Sequence, residues 1–326
     1  MKALVTGASA VIGSHLVDKL IEEGVKVTCL IRPQDKLQWL EGRPVSFITA
    51  DLCDYSTLVP AVKDKDVIYH LASQVNAGSD EEYYQNNVHG TVNLLKTIIQ
   101  YNPRIKHFIY ISSIAVAGPS RKYRPHTEET EPHPVSAYGQ SKLSAEEAVM
   151  ASRGQIPITI IRPPVVFGPR DVEVLRLVKL AKIGVHPILG FKKRSYSMIY
   201  VKDLVDGIWK LTNEKKTIGE IYYLANNESV TWSELIQLIG RIIQKKGVWI
   251  YFPLWLFVIA VHLSDKIASL SGRKAYMNSK RIHELTQGRW ECLPTKARNE
   301  IGFVATTPLE RAIQETIDWY EEQGMV

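Results

Sequence analysis

Residues 2–31, KALVTGASAVIGSHLVDKLIEEGVKVTCLI, contain two short apolar runs separated by a glycine-containing turn and a helical pattern. The first run covers Lys2 to Thr6, the helical pattern ends near Glu23, and the second run covers Val25 to Ile31. Short apolar runs bounded by turn residues are typical of buried strands, and a 3.6-residue apolar period predicts an amphipathic helix. The stretch therefore predicts a β-turn-α-β unit, which is the start of an α/β fold.

The turn Gly7-Ala8-Ser9-Ala10-Val11-Ile12-Gly13 has the glycine spacing of dinucleotide-binding loops. In such loops, glycines permit a tight turn, close approach of the backbone to a pyrophosphate, and close helix–strand packing, with the phosphates at the helix N-terminus. Gly7 and Gly13 fill the outer two positions, whereas Ala10 fills the middle one. The Ala10 methyl group intrudes where backbone and phosphate should be closest, so a strand-turn-helix without a ligand is the alternative interpretation.

The end of the second predicted strand bears on the choice of cofactor. The strand ends Leu30-Ile31-Arg32-Pro33, and no carboxylate follows until Asp35. An acidic side chain at the strand end would hydrogen-bond the adenine ribose diol of NAD. Arg32 could instead hold the 2′-phosphate of NADP through charge-assisted hydrogen bonds. The pattern favours NADP(H) over NAD(H); alternatively, Arg32 is a solvated loop residue.

The remainder of the first half continues to alternate strands and helices. Strands are predicted at 45–50, 66–71 and 107–112, and helices at 56–62 and 80–101. Such alternation predicts a doubly wound parallel sheet of the Rossmann type, with helices on both faces. Asp51-Leu52 and Leu71-Ala72-Ser73 follow strand ends, where open α/β sheets bind ligands.

Tyr138-Gly139-Gln140-Ser141-Lys142 opens a segment, 136–152, whose pattern predicts another amphipathic helix. Residues four apart share a helix face, so the Tyr138 phenol and the Lys142 ammonium would point into the same space. A phenol has an unperturbed pKa of about 10, and a fixed cation beside it favours the phenolate. Tyr138 would then be a usable general acid/base. Because both residue types are common, a surface pair without a role is the alternative.

Two further polar residues are candidates for the same site. Ser113 lies at the end of the fifth predicted strand, where its hydroxyl could hydrogen-bond a carbonyl or alcohol oxygen shared with Tyr138. A strand-end serine is also a common turn or cap residue. Asn87 lies with Gly90 inside the long predicted helix, and since both are poor helix formers, their placement indicates a packing or polar role.

These features, with a few others, occur in one order along the chain. After the glycine turn come Asp51-Leu52, Leu71-Ala72-Ser73, Asn87-Val88-His89-Gly90-Thr91, Ser112-Ser113, Tyr138-x-x-x-Lys142, Arg162-Pro163-Pro164-x-x-x-Gly168-Pro169 and Tyr200-Val201-Lys202-Asp203-Leu204. The set resembles the extended short-chain dehydrogenase/reductase family, also described as the NAD-dependent epimerase/dehydratase group. The resemblance covers most of the chain and is strongest from Met1 to about Leu211.

The resemblance implies hydride transfer at a carbon bearing oxygen, with a nicotinamide cofactor supplying the redox step. It implies that Tyr138 is the catalytic acid/base, that Lys142 lowers its pKa and holds the nicotinamide ribose, that Ser113 orients the substrate oxygen, and that Asn87 supports the active-site helix. The implied cofactor-binding residues are Gly7, Ala10, Val11, Ile12, Gly13, Arg32, Asp51, Leu52, Leu71, Ala72, Ser73, Tyr138, Lys142, Pro163 and Val165.

A few positions indicate the branch of the family. Dehydratases of the family typically have a Thr followed by an acidic residue in the region of the catalytic serine. Here Ser113-Ile114 has neither. Sugar epimerases typically have Ser-x-x-Val-Tyr-Gly, whereas this chain has Val116-Ala117-Gly118. With Arg32, these positions favour the 3β-hydroxysteroid dehydrogenase and dihydroflavonol reductase branch, and hence a ketone/alcohol oxidoreductase. A nucleotide-sugar epimerase with bound NAD and a redox-inactive NAD(P)-binding protein are the alternatives.

Composition excludes several other classes of protein. The chain has 326 residues, a net charge of +6 and scattered basic residues without a basic helix, so we expect no nucleic-acid binding. The three cysteines and nine histidines have no metal-ligand spacing, so we expect no metal site. The chain begins with a strand and no signal peptide, which predicts a cytoplasmic enzyme. The resemblance implies a homodimer that pairs through helices of the cofactor domain.

The length suits one large or two fused globular domains. Residues 1–165 are predicted to be the NAD(P)-binding Rossmann domain with the catalytic residues. Residues 166–326 are predicted to bind mainly the small-molecule substrate, with some segments returning to the Rossmann sheet.

Val248 to Leu263 is a nearly continuous apolar stretch in the second unit. It is too short and too interrupted to span a membrane, which takes about 20 residues. Three interpretations are open: a helix packed in the small domain, the wall of a pocket for a bulky apolar substrate, and a patch on a membrane surface. Nearby basic residues support the patch: Lys245, Lys246, Lys266 and Arg273. The pocket and the patch both favour a sterol-, flavonol- or lipid-like substrate.

Overall fold

The computed structural model describes residues 1–190, 193–270 and 282–326, without the side chains at 189, 265–270, 283 and 285. Arg273 and the side chain of Lys266 therefore lie outside the described part of the chain. The strands are β1 (Lys2–Thr6), β2 (Lys26–Ile31), β3 (Ser46–Thr49), β4 (Val67–His70), β5 (His107–Ile111), β6 (Ile158–Arg162), β7 (Val165–Phe167), β8 (Val185–Leu189), β9 (Ser195–Tyr200), β10 (Glu220–Tyr223), β11 (Ser229–Thr231), β12 (Val248–Phe252) and β13 (Arg289–Trp290). The helices are α1 (Val11–Glu22), α2 (Tyr55–Val62), α3 (Asp80–Tyr83), α4 (Gly90–Tyr101), α5 (Ala137–Ala151), α6 (Val172–Lys182), α7 (Val201–Asn213), α8 (Trp232–Ile242), α9 (Leu254–Leu270), α10 (Ile282–Thr286), α11 (Thr295–Ile301) and α12 (Leu309–Glu322).

Seven parallel strands form the central sheet, in the order β10-β6-β5-β4-β1-β2-β3. The chain moves outward from β1 to β3 and then returns to the other side of β1 for β4, β5 and β6. The strand order thus reverses between β1 and β4, and open α/β sheets bind ligands outside the carboxyl ends of the strands at such a point. The expected doubly wound Rossmann-type sheet is confirmed.

Helices cover both faces of this sheet, as the buried apolar runs of its strands require. On one face, Leu16 and Leu20 of α1 pack in a cluster with Leu204 and Ile208 of α7. On the other face, the helices α2, α4 and α5 pack against the strands, as Val149 of α5 illustrates. The position of α5 on this face places its N-terminal end near the carboxyl ends of β4 and β5.

The second half of the chain builds a smaller layer and also returns to the large sheet. Strand β9 pairs with β7, β11 and β13, and helices α6, α8 and α12 pack over these strands. Strand β10 pairs with β6 at the edge of the large sheet. Helix α8 begins with a capping box, whose pattern of Thr231 and, three residues on, Glu234 can be read from the sequence. Thr231 Oγ1 accepts a hydrogen bond from Glu234 N over 3.3 Å, and the Glu234 carboxylate accepts one from Thr231 N over 2.8 Å.

The apolar stretch 248–263 is not one helix. Its first five residues form β12, which pairs in parallel with β8, and helix α9 begins at Leu254, directly after Pro253. The helix interpretation is therefore wrong for residues 248–252, where aromatic and β-branched side chains favour an extended backbone that β8 can pair. Within the described part of the chain, no helix is long and apolar enough to cross a membrane.

Candidate active site

The glycine turn after β1 needs both of its outer glycines. Gly7 has φ +70°, and a Cβ there would lie 2.7 Å from the Ala72 backbone nitrogen. A Cβ on Gly13 would lie 2.1 Å from the Gly7 carbonyl oxygen, so Gly13 lets α1 pack directly on the turn. Ala10 has φ −81° and ψ 172°, an ordinary extended conformation that any residue adopts. The alanine in the middle position therefore causes no backbone strain, and its effect is confined to the space its exposed methyl group takes.

Helix α1 begins without a side-chain cap. Ala10 is its N-cap residue and makes no side-chain hydrogen bond, whereas α2, α5, α6 and α8 are each capped by an Asp, Ser or Thr side chain. The first-turn N–H groups of Val11, Ile12 and Gly13 have no acceptor within the helix, because the preceding turn of helix does not exist. A helix N-terminus of this kind attracts anions such as a pyrophosphate.

A groove lies along the carboxyl ends of β1, β2 and β4, beside this turn. Eight residues predicted to bind the cofactor line it: Gly7, Ala10, Arg32, Asp51, Leu52, Leu71, Ala72 and Ser73. Five further residues line it that were not predicted: Ser9, Leu30, Asp35, Gln74 and Asn86. Pro163 and Val165 follow β6, outside this groove, and Tyr138 and Lys142 belong to α5.

Arg32 and Asp35 lie together at one end of the groove. The Arg32 guanidinium donates to Asp35 Oδ1 from Nη2 over 3.1 Å and from Nε over 3.3 Å, and the Arg32 backbone N–H donates to Asp35 Oδ2 over 3.0 Å. The tight turn after β2 therefore brings a carboxylate back to the strand end. The sequence carried a signal for this residue, since Asp35 is the first acid after the strand, but the turn that brings it back to Arg32 was not predicted.

The residues of the groove fit a nicotinamide dinucleotide. A Cβ on Gly7 would contact the Ala72 backbone, so glycine lets the turn after β1 pack closely against the loop after β4 in the lining of the groove. The uncapped N-terminus of α1 supplies N–H donors there, and Arg32 and Asp35 supply polar groups for a ribose at one end. Ser73 and Gln74 lie on the loop after β4, which is joined to α5 through Asn87.

A buried histidine holds the groove in shape at the reversal of strand order. His70 Nδ1 lies 2.8 Å from Thr6 Oγ1, and His70 Nε2 lies 2.9 Å from Thr91 Oγ1. Thr6 Oγ1 also accepts a hydrogen bond from Ala72 N over 3.2 Å. Burial, assisted by the charge of Lys142, lowers the pKa of His70 to about 3, so the imidazole is neutral. His70 thus joins β1, β4 and α4 as a structural residue.

Helix α5 starts against the turn that follows β5. Ser136 caps α5 by accepting a hydrogen bond from Gly139 N over 2.9 Å, and its hydroxyl donates to Glu284 Oε1 over 2.5 Å. A Cβ on Gly139 would lie 2.7 Å from the Ala115 carbonyl oxygen, so glycine permits this close packing. As a result, Tyr138 lies in a small buried cluster with Ala115, and its ring centre is 6.1 Å from that of Tyr83.

Ser113 has the cap role that its position at a strand end predicts. Its Oγ accepts a hydrogen bond from Ala115 N over 3.1 Å at the start of the 3₁₀ turn Ile114–Val116. A hydroxyl also has a hydrogen to donate and a second lone pair. Ser113 is partly exposed. Its hydrogen-bond partner Ala115 packs in the same cluster as Tyr138, so Ala115 links Ser113 to the surroundings of Tyr138.

Lys142 is almost completely buried on the same helix. Its Nζ donates to the Ile111 carbonyl oxygen over 2.7 Å and lies 4.3 Å from the centre of the Tyr110 ring. Burial lowers the pKa of Lys142 to about 7, and the carboxylate of Glu146, one turn along α5, opposes that shift. Glu146 itself accepts hydrogen bonds from the buried Arg162, the shortest from Nη2 over 2.6 Å. Tyr138, Lys142 and Glu146 thus form a buried row at intervals of four residues.

Asn87 connects the groove to α5. It lies in a π-helical turn, Tyr84–His89, that interrupts the long helix predicted at 80–101, and such turns are frequent at functional sites. Its Oδ1 accepts from Gln74 N over 2.7 Å and from Ser73 Oγ over 3.2 Å, and its Nδ2 donates to Ser141 Oγ over 2.8 Å. Asn87 therefore joins the loop after β4 to α5 through Ser141.

The fold and this site define a dinucleotide-binding α/β protein with a Tyr-x-x-x-Lys helix beside the groove. The chain belongs to the NAD dependent epimerase/dehydratase family, whose model matches residues 3–225. This agrees with the family resemblance of the motifs. Members of the family are NAD-dependent oxidoreductases and epimerases, so membership defines the cofactor class but leaves the reaction open.

Relatives of this chain include both epimerases and dehydrogenases. It is 28% identical over 325 residues to N-acetyl-alpha-D-glucosaminyl-diphospho-ditrans,octacis-undecaprenol 4-epimerase of Escherichia coli O157:H7, covering 97% of this chain and 94% of that protein. It is 27% identical over 324 residues to ceramide reductase of Caulobacter vibrioides, covering 98% and 94%. It is 25% identical over 268 residues to the human decarboxylating sterol-4-alpha-carboxylate 3-dehydrogenase, covering 78% and 70%.

Solved structures of family members have the same fold. The structure of UDP-glucuronic acid 4-epimerase from Bacillus cereus, in complex with UDP-glucuronic acid and NAD, superposes with a TM-score of 0.78 and is 26% identical. The similarity covers 99% of this chain and 100% of that chain. The two-unit architecture of this chain is therefore the common architecture of these enzymes.

Proposed function

We propose that the protein is an NAD(P)-dependent oxidoreductase that interconverts a ketone and a secondary alcohol on a bulky apolar substrate. The main support is the buried row on α5, in which Tyr138 and Lys142 share a face next to a groove that fits a dinucleotide. The loss of the epimerase-type tyrosine at Ala117 also favours the reductase. Residues 1–165 would bind the cofactor and residues 166–326 mainly the substrate.

Each residue of the site has a role in this proposal. A bound nicotinamide would exchange hydride with the carbon that bears the reacting oxygen. The Tyr138 hydroxyl would give a proton to that oxygen or take one from it, and the Ser113 hydroxyl would donate a hydrogen bond to hold it in place. The Lys142 ammonium would stabilise the Tyr138 phenolate and bind the cofactor ribose. Asn87 would fix α5 relative to the groove.

The cofactor in this proposal is NADP(H), bound through Arg32. Asp35 engages the Nε and Nη2 groups of Arg32, so the remaining N–H groups of the guanidinium fork are oriented for a 2′-phosphate. The Asp35 carboxylate, which is only slightly exposed, would be an acceptor for the 2′-hydroxyl of NAD instead. NAD is therefore the alternative.

Fluorescence titration with NADPH and NADH tests this choice. We expect NADPH to bind the wild type more tightly than NADH does. Arg32→Ala should weaken NADPH binding by about tenfold or more, because a charge-assisted hydrogen bond is lost. The same variant should change NADH binding little. Asp35→Asn is the matched control, because it keeps Arg32 but removes the negative charge and replaces one acceptor oxygen by an NH2 group. This variant should weaken NADH binding more than NADPH binding. Equal affinities for both cofactors in the wild type would contradict the NADP proposal.

The proposed substrate is sterol-, flavonol- or lipid-like. Three relatives carry names that refer to an undecaprenol-linked sugar, a ceramide and a sterol, all of which are bulky and apolar in part. The apolar stretch 248–263 supports the same substrate class and a peripheral membrane contact. A cytoplasmic homodimer, paired through helices of the cofactor domain, completes the proposal on the strength of the family resemblance.

Turnover with added ketones tests the reaction itself. We expect consumption of NADPH with a sterol ketone or another apolar ketone and no consumption with small polar ketones. The second candidate function is a nucleotide-sugar epimerase, which the Escherichia coli relative and the position of Asp35 favour. An epimerase regenerates its cofactor in each cycle, so tightly retained NAD in the purified protein, without net oxidation or reduction, would support it against the reductase. Failure of the protein to bind any nicotinamide cofactor would support the third, redox-inactive alternative.

A further inference from the structure

An exposed apolar face, the β12–α9 face, lies on the second unit. It comprises Val248, Tyr251, Trp255, Leu256, Ile259 and Leu263, of which Val248 is 71% exposed and Trp255 65% exposed. On α9 these residues recur at intervals of three, four and seven, so they share one side of the helix. The exposed side of a surface helix is ordinarily polar. The β12–α9 face therefore reverses the usual pattern, and contact with water is not its favoured environment.

Basic residues border the face, and acidic residues are absent from its sequence. Lys245 and Lys246 are exposed directly before β12. Val248 N of β12 donates to the Gly184 carbonyl oxygen over 2.9 Å, so Ile183, which is 73% exposed, lies next to β12. Lys179 is exposed one helical turn before Ile183. The sequence from 241 to 263 contains three basic residues and no Asp or Glu. The border of the face at β12 is therefore cationic, whereas α9 continues with one charge of each sign, Asp265 and Lys266.

The face is close to the catalytic helix through one short helix. Helix α10 packs against α9, and Glu284 of α10 accepts the hydrogen bond of Ser136, the cap of α5. On its other side, β12 pairs with β8 and Gly190 N donates to the Phe252 carbonyl oxygen over 2.8 Å. A surface that docks at α9 would thus bring the region around the N-terminus of α5 near that surface.

We propose that the β12–α9 face docks on an anionic lipid membrane and lies in its interfacial layer. Apolar and aromatic side chains enter that layer, tryptophan and tyrosine are enriched there, and flanking lysines pair with anionic headgroups. A second copy of the chain is a poorer occupant, because a self-interface would bring the lysine borders of two copies together. Docking would give the active site access to a substrate in the membrane. This consequence rests on the proposed function.

Vesicle flotation of the full chain tests the docking without any turnover. The vesicles are phosphatidylcholine alone and phosphatidylcholine mixed with phosphatidylglycerol. We expect binding to the mixed vesicles that decreases with added salt, as exposed charge interactions do. Replacing Lys245 and Lys246 by Glu should reduce the partition coefficient by roughly fivefold or more per lysine. Replacing Trp255, Leu256 and Ile259 by Ser should abolish binding.

Val172→Ser is the matched control, since Val172 is an exposed apolar residue at the other end of α6 from Ile183, and this variant should bind like the wild type. Equal binding to neutral and anionic vesicles would overturn the anionic part of the proposal. The proposal would be overturned in favour of a protein interface if the wild type did not bind vesicles and formed a dimer that the variant with all three Ser substitutions does not form. NADPH titration of each variant shows that it is folded, and failure of the wild type to bind NADPH would count against the proposed function alone.

Discussion

Lys142 Nζ donates a hydrogen bond to the carbonyl oxygen of Ile111 over 2.7 Å, at the end of the fifth strand. This contact holds the Lys142 ammonium of α5 against the sheet, over the ring of Tyr110 and one helical turn from Glu146. Lys142 is therefore not a surface cation beside Tyr138 but a buried one, with a side chain only 1% exposed. Burial makes its charge sensitive to pH near neutrality.

The free energy of unfolding should depend on pH because Lys142 titrates at different pH values in the folded and unfolded chain. Burial lowers its pKa to about 7 in the folded chain, whereas an unfolded lysine titrates at about 10.4. Between these values the unfolded chain binds more protons, so the contribution of Lys142 to the free energy of unfolding rises as pH increases from about 7 to about 10. Urea unfolding of wild type and Lys142→Met should therefore show an advantage of the variant that is largest near about pH 6 and shrinks toward about pH 10. Lys179→Met, at an exposed position, is the control, and a pH-independent difference for Lys142→Met would contradict the buried titration.

Tyr138→Phe should remove turnover while leaving NADPH binding within a few-fold of the wild type. The substitution deletes the hydroxyl that exchanges the proton, and a general acid/base contributes about 10²–10⁴-fold to rate. Ring packing against Tyr83 and Ala115 is retained, so the fold and the groove should not change. Steady-state rates and fluorescence titration check the two halves of the prediction. Tyr123→Phe, at an 83% exposed tyrosine, serves as control, and equal rates for Tyr138→Phe and wild type would remove the catalytic assignment.

Ala10→Gly should tighten cofactor binding by a few-fold without a change in backbone conformation. Ala10 already has an ordinary extended conformation, so the only difference is removal of a methyl group from the groove. Gly7→Ala should do the opposite, because a Cβ at φ +70° would contact the Ala72 backbone at 2.7 Å. Titration with NADPH compares the three proteins. Unchanged affinity in Ala10→Gly would mean that the methyl group does not oppose the phosphates, and binding seen in that variant alone would indicate a scaffold that has lost its chemistry.

Glu146→Gln should destabilise the protein by about 3–5 kcal/mol, since it leaves the buried Arg162 charged without its carboxylate. The pair has a 2.6 Å contact, with side chains 4% and 3% exposed. Replacing both residues by apolar ones, Glu146→Leu with Arg162→Met, should recover much of that loss. Urea unfolding measures both effects. Arg43→Gln breaks the exposed Arg43–Asp18 pair as a control and should cost less than about 1 kcal/mol. A cost for Glu146→Gln no larger than for Arg43→Gln would contradict the role of burial.

Several elements could be read from the sequence because their signals are local. The glycine turn, the capping box at Thr231 and Glu234, and the apolar periods of the first five strands all depend on residues that are neighbours along the chain. The stretch 248–252 could not be assigned in this way. A short apolar run suits a helix or a strand equally well, and pairing with β8, more than fifty residues earlier in the sequence, makes it a strand.

The sequence by itself determined the alternating α/β order, the two indispensable glycines of the turn, and the spacing that puts Tyr138 and Lys142 on one helix face, since these follow from backbone geometry and periodicity. Only the tertiary structure decided that Lys142 is buried against Ile111 and that Glu284 reaches the cap of α5. Burial and side-chain pairing depend on which distant segments meet in space, and these determine the charge of a lysine and the groups that face a ligand.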